Sequence, residues 1–399
     1  MDLVQFRENM MKIAVIGQEK SGGISRIFGS GFYDEAAEKL QQYMKDVGLK
    51  TWMDSVGNVH GVLACGRPDA EEILIGSHLD TVKEGGIFDG LLGVFAGIEC
   101  IKELQSKHKI LDYDIHIIAT NGEEGNELGG TFGSRAIMGY VDTTDEEFLK
   151  KAEKYHYFKE DFEKAIYDTK KVKCYLELHI EQGKTLEESK KKIGIVTGIV
   201  GLQRYEITVN GKSNHAGTTM MEYRDDALVK ASRIIVLIDE IAKELGHNLV
   251  ATCNKMTIHP NALAVISDKV VFTLECRNQD EQLMAKLLER VQEALKEIPG
   301  VQIKPLIQKK PVNCNKKIVN IVEEICKEEK IAYCKMPSGA THDGNYFARR
   351  IPIGMIFVPS IGGISHSKEE KTEWEDVETG LNLLYQTILK IGKKEEEIC

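Results

Sequence analysis

The 399-residue sequence lacks any run of 18 or more apolar residues, the length that could cross a bilayer as a helix. It also lacks an excess of positive charge: a formal net charge of −10 disfavours binding to nucleic acid or to an anionic membrane. Its nine cysteines include no CxxC pair, which argues against a zinc ribbon or a disulfide framework. The N-terminus lacks the ordered basic, apolar and small-residue regions of a secretory signal. We therefore predict a cytoplasmic protein that binds neither membranes nor nucleic acid.

The composition that remains is typical of a globular enzyme, with 42% hydrophobic and 29% charged residues. The chain is longer than a single hydrophobic core usually supports, so two domains are expected. Strand-like runs alternate with amphipathic helical segments along most of the sequence. This alternation predicts an α/β fold.

The pattern changes between residues 198 and 311. A strand-like segment is followed there by a long helical stretch from Arg224 to Leu245, a second strand region and a second helix. This order predicts a compact inserted α+β domain over 198–311. Strand and helix signals then resume, so we predict that residues 1–197 and 312–399 together form the catalytic domain.

Short apolar or alternating runs in the catalytic domain predict the strands of a covered sheet: EEILIGSH, DYDIHIIAT, VKCYLELHI and IPIGMIFVP. The first three end at chemically active side chains, and the fourth leads into a glycine-rich loop that carries His366. Because ligands of α/β sheets bind at the carboxyl ends of strands, this placement predicts a functional site there.

His78 and Asp89 are candidate metal ligands near the first of these strand ends. A histidine ligand needs its second ring nitrogen held by an acceptor, and Asp80, two residues further on, suits that role. An ordinary buried or surface histidine is the alternative. Asp89 lies in a glycine-rich loop, where its carboxylate could face a metal or instead cap the helix that follows.

Glu123 and Glu124 are adjacent acids among glycines after a predicted strand, an unusual arrangement unless a cation neutralises them. One of them could bind a metal while the other handles the proton of a water molecule. A solvated loop is the alternative. His179, in ELHIEQG, lies on the same strand face as Glu177 and Glu181, so it is a further candidate ligand.

Taken together, the motifs resemble those of the N-carbamoyl-L-amino-acid hydrolases, β-ureidopropionases and allantoate amidohydrolases, a branch of the aminoacylase and carboxypeptidase-type di-metal hydrolases. The resemblance covers nearly the whole chain and rests on GSHLDTV, GGIFDGLLGV, NGEEG, LHIEQG, NHAGTT, PNA, MPSGATHD and GISHS. The histidine of LHIEQG is the most telling element, because the peptidase branches resemble one another in having an acid there. The resemblance implies a mixed-sheet catalytic domain with helices on both faces, an inserted dimerisation (lid) domain and a homodimer.

The same resemblance implies two divalent metal ions per subunit, bridged by Asp89. His78 and His179 would complete one site, and Glu124 and His366 the other. Such mixed ligation favours Zn²⁺ and is also compatible with Mn²⁺, Co²⁺ or Ni²⁺.

The resemblance also implies catalytic and substrate-binding roles. Glu123 would be the general base, Asp80 would belong to the catalytic set as the residue that holds His78, and His215 would stabilise the oxyanion in the partner subunit's site. A loop histidine is the alternative for His215, and a salt bridge on a strand for Arg277. The implied substrate-binding residues are Gln182, His215, Asn261, Arg277, Ser338, Gly339, Ala340 and His342.

Two positions depart from the family pattern. Ala264 stands where relatives usually have a second asparagine near the substrate carboxylate, and Ile87 stands where they often have arginine. The predicted reaction is hydrolysis of a linear amide or ureido C–N bond in a small molecule. The leading substrate is an N-carbamoyl-L-amino acid, which would give the amino acid, ammonia and carbon dioxide. Allantoate, an acylated amino acid or a dipeptide are alternative substrates. A noncatalytic protein on the same fold is disfavoured, because Glu123 and all five ligands are present.

Overall fold

The computed structural model describes residues 1–393 and separates the chain into two compact units. The first unit comprises Met1–Ile199 together with the chain from Asn313 onward, and the second comprises Val200–Val312. The strands are β1 Lys50–Met53, β2 Val59–Leu63, β3 Glu72–His78, β4 Asp114–Thr120, β5 Val172–Ile180, β6 Ile193–Ile199, β7 Gly201–Asn210, β8 Val250–His259, β9 Lys269–Asn278, β10 Val301–Lys309, β11 Val312–Asn313, β12 Tyr333–Ser338 and β13 Ile353–Val358. The helices are α1 Leu3–Ala14, α2 Gly31–Asp46, α3 Leu91–Ser106, α4 Phe132–Ile137, α5 Glu146–Glu153, α6 Lys159–Ala165, α7 Thr185–Glu188, α8 Ala227–Leu245, α9 Glu281–Leu295, α10 Lys316–Glu328, α11 Gly344–Phe347 and α12 Trp374–Ile391.

The first unit is built on a mixed sheet with the strand order β1-β2-β4-β3-β5-β13-β6-β11, and β12 also pairs with β6. The central strands β4, β3, β5 and β13 are mutually parallel, whereas β2 pairs with β4 and β6 pairs with β13 in antiparallel fashion. Four neighbouring strands therefore direct their carboxyl ends to the same edge. The predicted mixed α/β sheet is confirmed.

Helices cover both faces of this sheet. One face packs on α1, α2, α3, α10 and α12 in a large apolar core that includes Ile75, Ile117 and Leu178. On the other face, Tyr175 of β5 stacks on Phe347 of α11, with ring centroids 4.2 Å apart. Because the strands are buried on both sides, their sequences are almost continuously apolar.

The second unit is a four-stranded antiparallel sheet in the order β10-β7-β9-β8, and α8 and α9 pack against it. Asp226 and Asp280 are the N-caps of these helices, and each carboxylate accepts backbone N–H groups of the first turn. The predicted helix from Arg224 therefore begins after Asp226, at Ala227. Within residues 1–393, strand β8 pairs only with β9 and lies at the edge of the sheet, and all of its residues are exposed or half-buried.

No helix within residues 1–393 is long and apolar enough to span a membrane. The cysteines of the same region are free thiols, in agreement with the absence of a disulfide framework. Cys399 lies outside the described residues.

Candidate metal centre

The strand ends bring His78, Asp89 and His179 together. His78 is the last residue of β3, His179 lies near the end of β5, and Asp89 precedes α3. Asp89 Oδ1 lies 3.4 Å from His78 Nε2 and 3.2 Å from His179 Nε2. All three side chains are buried. Gly90 must be glycine here, because its φ is +70° and an added Cβ would overlap the His78 ring.

A second group of possible ligands faces the other oxygen of Asp89. His366 Nε2 lies 3.4 Å from Asp89 Oδ2 and 3.2 Å from Glu124 Oε1. The side chain of His366 is half exposed, so this side of the group is open to solvent. Asp89 is thus shared between two sets of candidate ligands, one on each carboxylate oxygen.

Both buried imidazoles present the same nitrogen to Asp89. His78 Nδ1 lies 2.9 Å from the carbonyl oxygen of Asp80, and His179 Nδ1 lies 2.9 Å from that of Ile180. Because a carbonyl can only accept, each Nδ1 carries a hydrogen, and Nε2 is the ring nitrogen left to bind a metal beside the shared carboxylate. This is the arrangement of histidines that bind a metal.

Two atoms in this group have no hydrogen-bond partner within the described residues: Asp89 Oδ1 and His179 Nε2, both buried. Buried polar atoms without partners are rare, because each costs about 1–3 kcal/mol. A cation between these atoms would satisfy both. The donor set of imidazole nitrogens and carboxylate oxygens therefore fits divalent metal ions.

The electrostatics of the group favour the binding of cations. Burial raises the pKa of Glu123 well above its ordinary value, and the nearby carboxylates of Glu124 and Asp343 add to this, while His78 opposes it. Burial would also raise the pKa of Asp89, but the imidazoles of His179 and His78 hold it well below its usual range. Several acids thus lie close together in a small volume, and divalent cations bound there would neutralise their charge.

The carboxylate of Asp80 does not hold the ring of His78, contrary to the prediction. Its carboxylate was expected to hold the ring of His78, but Asp80 Oδ1 lies 3.8 Å from His78 Nδ1, and the backbone carbonyl of Asp80 makes that contact instead. The carboxylate accepts the backbone N–H groups of Glu123 and Glu124, each at 3.1 Å. Asp80 therefore positions the two glutamates. Burial raises its pKa to about 6.

Gln182 and His342 are also brought to this group. Gln182, with φ of +59°, donates from Nε2 to Asp89 Oδ2 and to Ser365 Oγ, at 3.2 Å each. The ring of His342 meets that of His179 edge-on, with centroids 4.6 Å apart. His342 Nε2 lies 2.9 Å from Ser338 Oγ, and burial lowers the pKa of His342 well below its usual value.

The loop of Ser338, Gly339 and Ala340 follows β12. Ser338 is buried, and its hydroxyl donates to the carbonyl of Ala340 and accepts the Ala340 N–H. At Gly339 an added Cβ would meet nothing within 4 Å, so the space beside its backbone is open. Such a loop can admit a ligand close to its backbone.

The other predicted substrate contacts lie in the second unit. His215 is exposed, and its Nδ1 accepts the N–H of Gly217 at 3.0 Å, which leaves the ring hydrogen on Nε2. Arg277 pairs with Glu275 at 2.8 Å, the strand salt bridge that was weighed as its alternative. Asn261 is exposed and has φ of +52°.

Sequence reasoning missed two buried charged residues close to these motifs. Glu370 accepts the backbone N–H groups of Phe88 and Asp89. The sequence feature that could have identified Glu370 is its position in GISHSKEE, four residues after His366. Arg26 is fully buried and donates from Nε to the carbonyl of Leu79 at 2.7 Å. Nothing in its local sequence distinguishes Arg26 from a surface arginine.

Comparison with known proteins gives consistent matches over most of the chain. The sequence profile of peptidase family M20/M25/M40 matches residues 74–390. The allantoate amidohydrolase of Escherichia coli (strain K12) is 35% identical, over 94% of this chain and 95% of the relative. The N-carbamoyl-L-amino acid amidohydrolase of Geobacillus stearothermophilus is 34% identical, over 97% of this chain and 98% of the relative.

A solved structure from Burkholderia multivorans, an amidase of the hydantoinase/carbamoylase family, superposes with a TM-score of 0.87. It is 29% identical and the match covers 98% of both chains. The resemblance drawn from the motifs is confirmed.

Proposed function

We propose, because the chain belongs to peptidase family M20/M25/M40, that it hydrolyses the carbamoyl C–N bond of an N-carbamoyl-L-amino acid, giving the amino acid, ammonia and carbon dioxide. The coarser activity follows from the relatives: the chain is an amidohydrolase that acts on non-peptide amide bonds of small molecules. The observation that carries the proposal is the shared carboxylate of Asp89, with His78 and His179 facing one oxygen and His366 facing the other.

In this proposal the residues that face the two oxygens of Asp89 would hold two divalent ions. His78 and His179 would hold one ion, and Glu124 and His366 the other, with Zn²⁺ favoured and Mn²⁺, Co²⁺ or Ni²⁺ also compatible. When bound, such a pair of ions lowers the pKa of an attacking water and polarises the scissile carbonyl. The metal identity and a cytoplasmic location stay predictions.

Glu123 is the general base of the proposed reaction. Its carboxylate is buried near His78 and Glu124, and its backbone is fixed by the carboxylate of Asp80. Glu123 takes the proton of the attacking water and delivers it to the departing nitrogen. One carboxylate can perform both transfers because the same proton is first accepted and then donated.

His215 would stabilise the negative charge that develops on the carbonyl oxygen. Its Nε2 carries the hydrogen, as an oxyanion donor requires, and a donor of this kind contributes roughly 3–4 kcal/mol in the transition state. We propose that His215 acts in the partner's active site of a homodimer. The exposed edge strand β8 supports such an assembly, because its unpaired backbone groups are available to a second copy.

The remaining substrate contacts are assigned by residue type. Arg277 would bind the substrate carboxylate with its planar guanidinium, and Asn261 would contribute an amide nearby. Gln182 and the loop 338–342 would orient the ureido group. Gln182 Oε1 supports this role, because it is buried and has no hydrogen-bond partner within residues 1–393.

Allantoate is the second candidate substrate. It is favoured by the allantoate amidohydrolase of Escherichia coli, which is as similar to this chain as the N-carbamoyl-L-amino acid amidohydrolase is. Both substrates carry a ureido group beside a carboxylate, so the same catalytic residues would serve either.

The test is ammonia release by metal-reconstituted protein. The panel contains N-carbamoyl-L-amino acids, their D-enantiomers, β-ureidopropionate, allantoate, N-acyl amino acids and dipeptides, with Glu123→Gln as the inactive control. Fastest turnover of an N-carbamoyl-L-amino acid supports the proposal, and fastest turnover of allantoate replaces it with the second candidate. Amino-acid release from acyl or peptide substrates without ammonia would refute both.

A further inference from the structure

The carboxylate of Glu370 is hydrogen-bonded to the backbone of the segment that carries Asp89. Its Oε1 accepts the backbone N–H of Phe88 at 3.0 Å and that of Asp89 at 3.1 Å. Only 4% of Glu370 is exposed, so water cannot replace these bonds at little cost. The orientation of the Asp89 backbone therefore depends on a side chain that is 281 residues away in sequence.

The second oxygen of Glu370 faces the segment that carries His366. Ser365 Oγ lies 3.1 Å from Glu370 Oε2 and 3.3 Å from Asp89 Oδ2. A hydroxyl has one hydrogen to donate, whereas the amide of Gln182 has two and reaches both Asp89 Oδ2 and Ser365 Oγ. Gln182 can thus satisfy Asp89 while Ser365 donates to Glu370.

Gly86 leaves space beside the loop backbone, and the carboxylate of Glu370 occupies that space. A Cβ at Gly86 would overlap the carboxyl group of Glu370, so only glycine lets the loop before Asp89 lie against it. The neighbouring Glu369 is exposed, and its side chain makes none of these contacts. Two adjacent glutamates of the same loop thus have entirely different surroundings.

We propose that Glu370 is a positioning residue that fixes the Asp89 and Ser365–His366 segments relative to each other and so sets the cation affinity of both sites. The inference rests on the proposed two-metal centre. Because each oxygen of Asp89 faces a different ligand set, a rotation of this one carboxylate would weaken both sites together. Contacts of this kind, one step removed from a metal, typically change affinity by about 10–100-fold.

The experiment compares Glu370→Ala, Glu370→Gln and the matched control Glu369→Ala. Each metal-free protein is titrated with Co²⁺ against a competing chelator, and the visible absorption of the bound Co²⁺ is recorded as a measure of ligand geometry. Wild type should bind two Co²⁺ ions. Glu370→Ala should bind both about 10–100-fold more weakly, with an altered spectrum. Glu370→Gln should stay close to wild type, because its amide oxygen can accept the same two N–H groups.

Two results would overturn the inference: an affinity of Glu370→Ala equal to that of Glu369→Ala, or an equal loss in Glu370→Gln, which would assign the effect to charge and not to position. If Glu370→Ala does not fold, Gly86→Ala decides, since it keeps Glu370 but displaces it. Gly86→Ala should then bind Co²⁺ more weakly, and wild-type affinity would contradict the inference. A wild type that binds no Co²⁺ would instead refute the proposed function.

Discussion

Asp80 Oδ1 accepts a hydrogen bond from the backbone N–H of Glu123 across 3.1 Å. The other oxygen of Asp80 accepts the N–H of Glu124 at the same distance. One buried carboxylate therefore holds the proposed base and a proposed metal ligand through their main chain, while the ring of His78 is held by a carbonyl.

We expect Asp80→Asn to lower kcat by about 10–100-fold, because an amide can accept only one of the two N–H groups and the glutamates will shift. The His78–carbonyl contact is unaffected, so the Co²⁺ affinity of the site formed by His78 and His179 should change less than kcat, whereas the site that includes Glu124 should bind Co²⁺ more weakly. These quantities are compared with those of His78→Ala, which should lose metal. If Asp80→Asn lost metal to the same extent as His78→Ala, the result would show instead that the carboxylate of Asp80 holds the ring of His78.

A separate buried network links His60 and His116. Their Nδ1 and Nε2 atoms are 2.9 Å apart, and the outer ring nitrogens face Asp54 and Glu72. We expect His116→Leu to lower the free energy of unfolding by about 2–4 kcal/mol, because His60 and Glu72 lose a buried partner. Urea unfolding of His116→Leu, His60→Leu and the double variant gives the coupling energy. Strictly additive losses would show that the two rings do not interact.

Glu177 should make the metal-free protein less stable as pH rises. Burial raises its pKa to about 7, whereas a glutamate in the unfolded chain has a pKa of about 4.3. The folded state therefore holds an extra proton between these values. Its contribution to stability is complete below the lower value and is lost by about pH 7, at up to about 1.4 kcal/mol per pH unit.

The measurement for Glu177 is urea unfolding in chelator between pH 5 and 8, with Glu177→Gln as the matched variant. Its neutral amide replaces the protonated acid, and His342, which lies close to Glu177 and whose lowered pKa acts in the opposite sense, is present in both proteins. Wild type should lose stability relative to Glu177→Gln as pH rises to about 7. Parallel pH profiles would contradict the prediction.

The sharing of active sites between subunits can be tested with hybrid dimers. Glu123→Gln and His215→Ala are each expected to be inactive, yet a hybrid dimer would contain one intact site. Random mixing should therefore restore roughly a quarter of wild-type activity. Mixing Glu123→Gln with His78→Ala is the control. Each of these changes disables the site of the subunit that carries it, so the hybrid dimer has no intact site. Hybrids that form without regaining activity would rule out His215 in trans.

Ala264 occupies an unfavourable backbone conformation. Its φ is +61°, a region in which asparagine is tolerated better than alanine, and its carbonyl accepts the N–H of Ala216, next to His215. We expect Ala264→Asn to raise the free energy of unfolding by ~0.5–1 kcal/mol and to lower KM for carboxylate-bearing substrates. Ala262→Asn, at an exposed position without positive φ, is the control. No gain of Ala264→Asn over this control would contradict the argument.

The motifs predicted which residues meet, but not which atoms touch. The alternation and strand ends indicated that His78, Asp89, Glu124, His179 and His366 would converge, because parallel strands direct their carboxyl ends to one edge. The two-residue spacing between His78 and Asp80 could not show whether the carboxylate or the backbone carbonyl of Asp80 contacts the ring of His78. Glu370 was missed because its partners are more than 280 residues away in sequence. The pair of His60 and His116 was missed because each is a single histidine within an otherwise ordinary strand.

The strand order has a consequence for the timing of biosynthesis. β13 lies between β5 and β6 and leads directly to His366, although it is the last strand of residues 1–393 to be synthesised. A nascent chain can therefore make β3, β4 and β5 and still lack the strand that completes the sheet and the histidine on the far side of Asp89. The chain must therefore be synthesised as far as His366 before the ligands on the far side of Asp89 are complete, so a translation product that stops before β13 could not form the proposed two-ion centre.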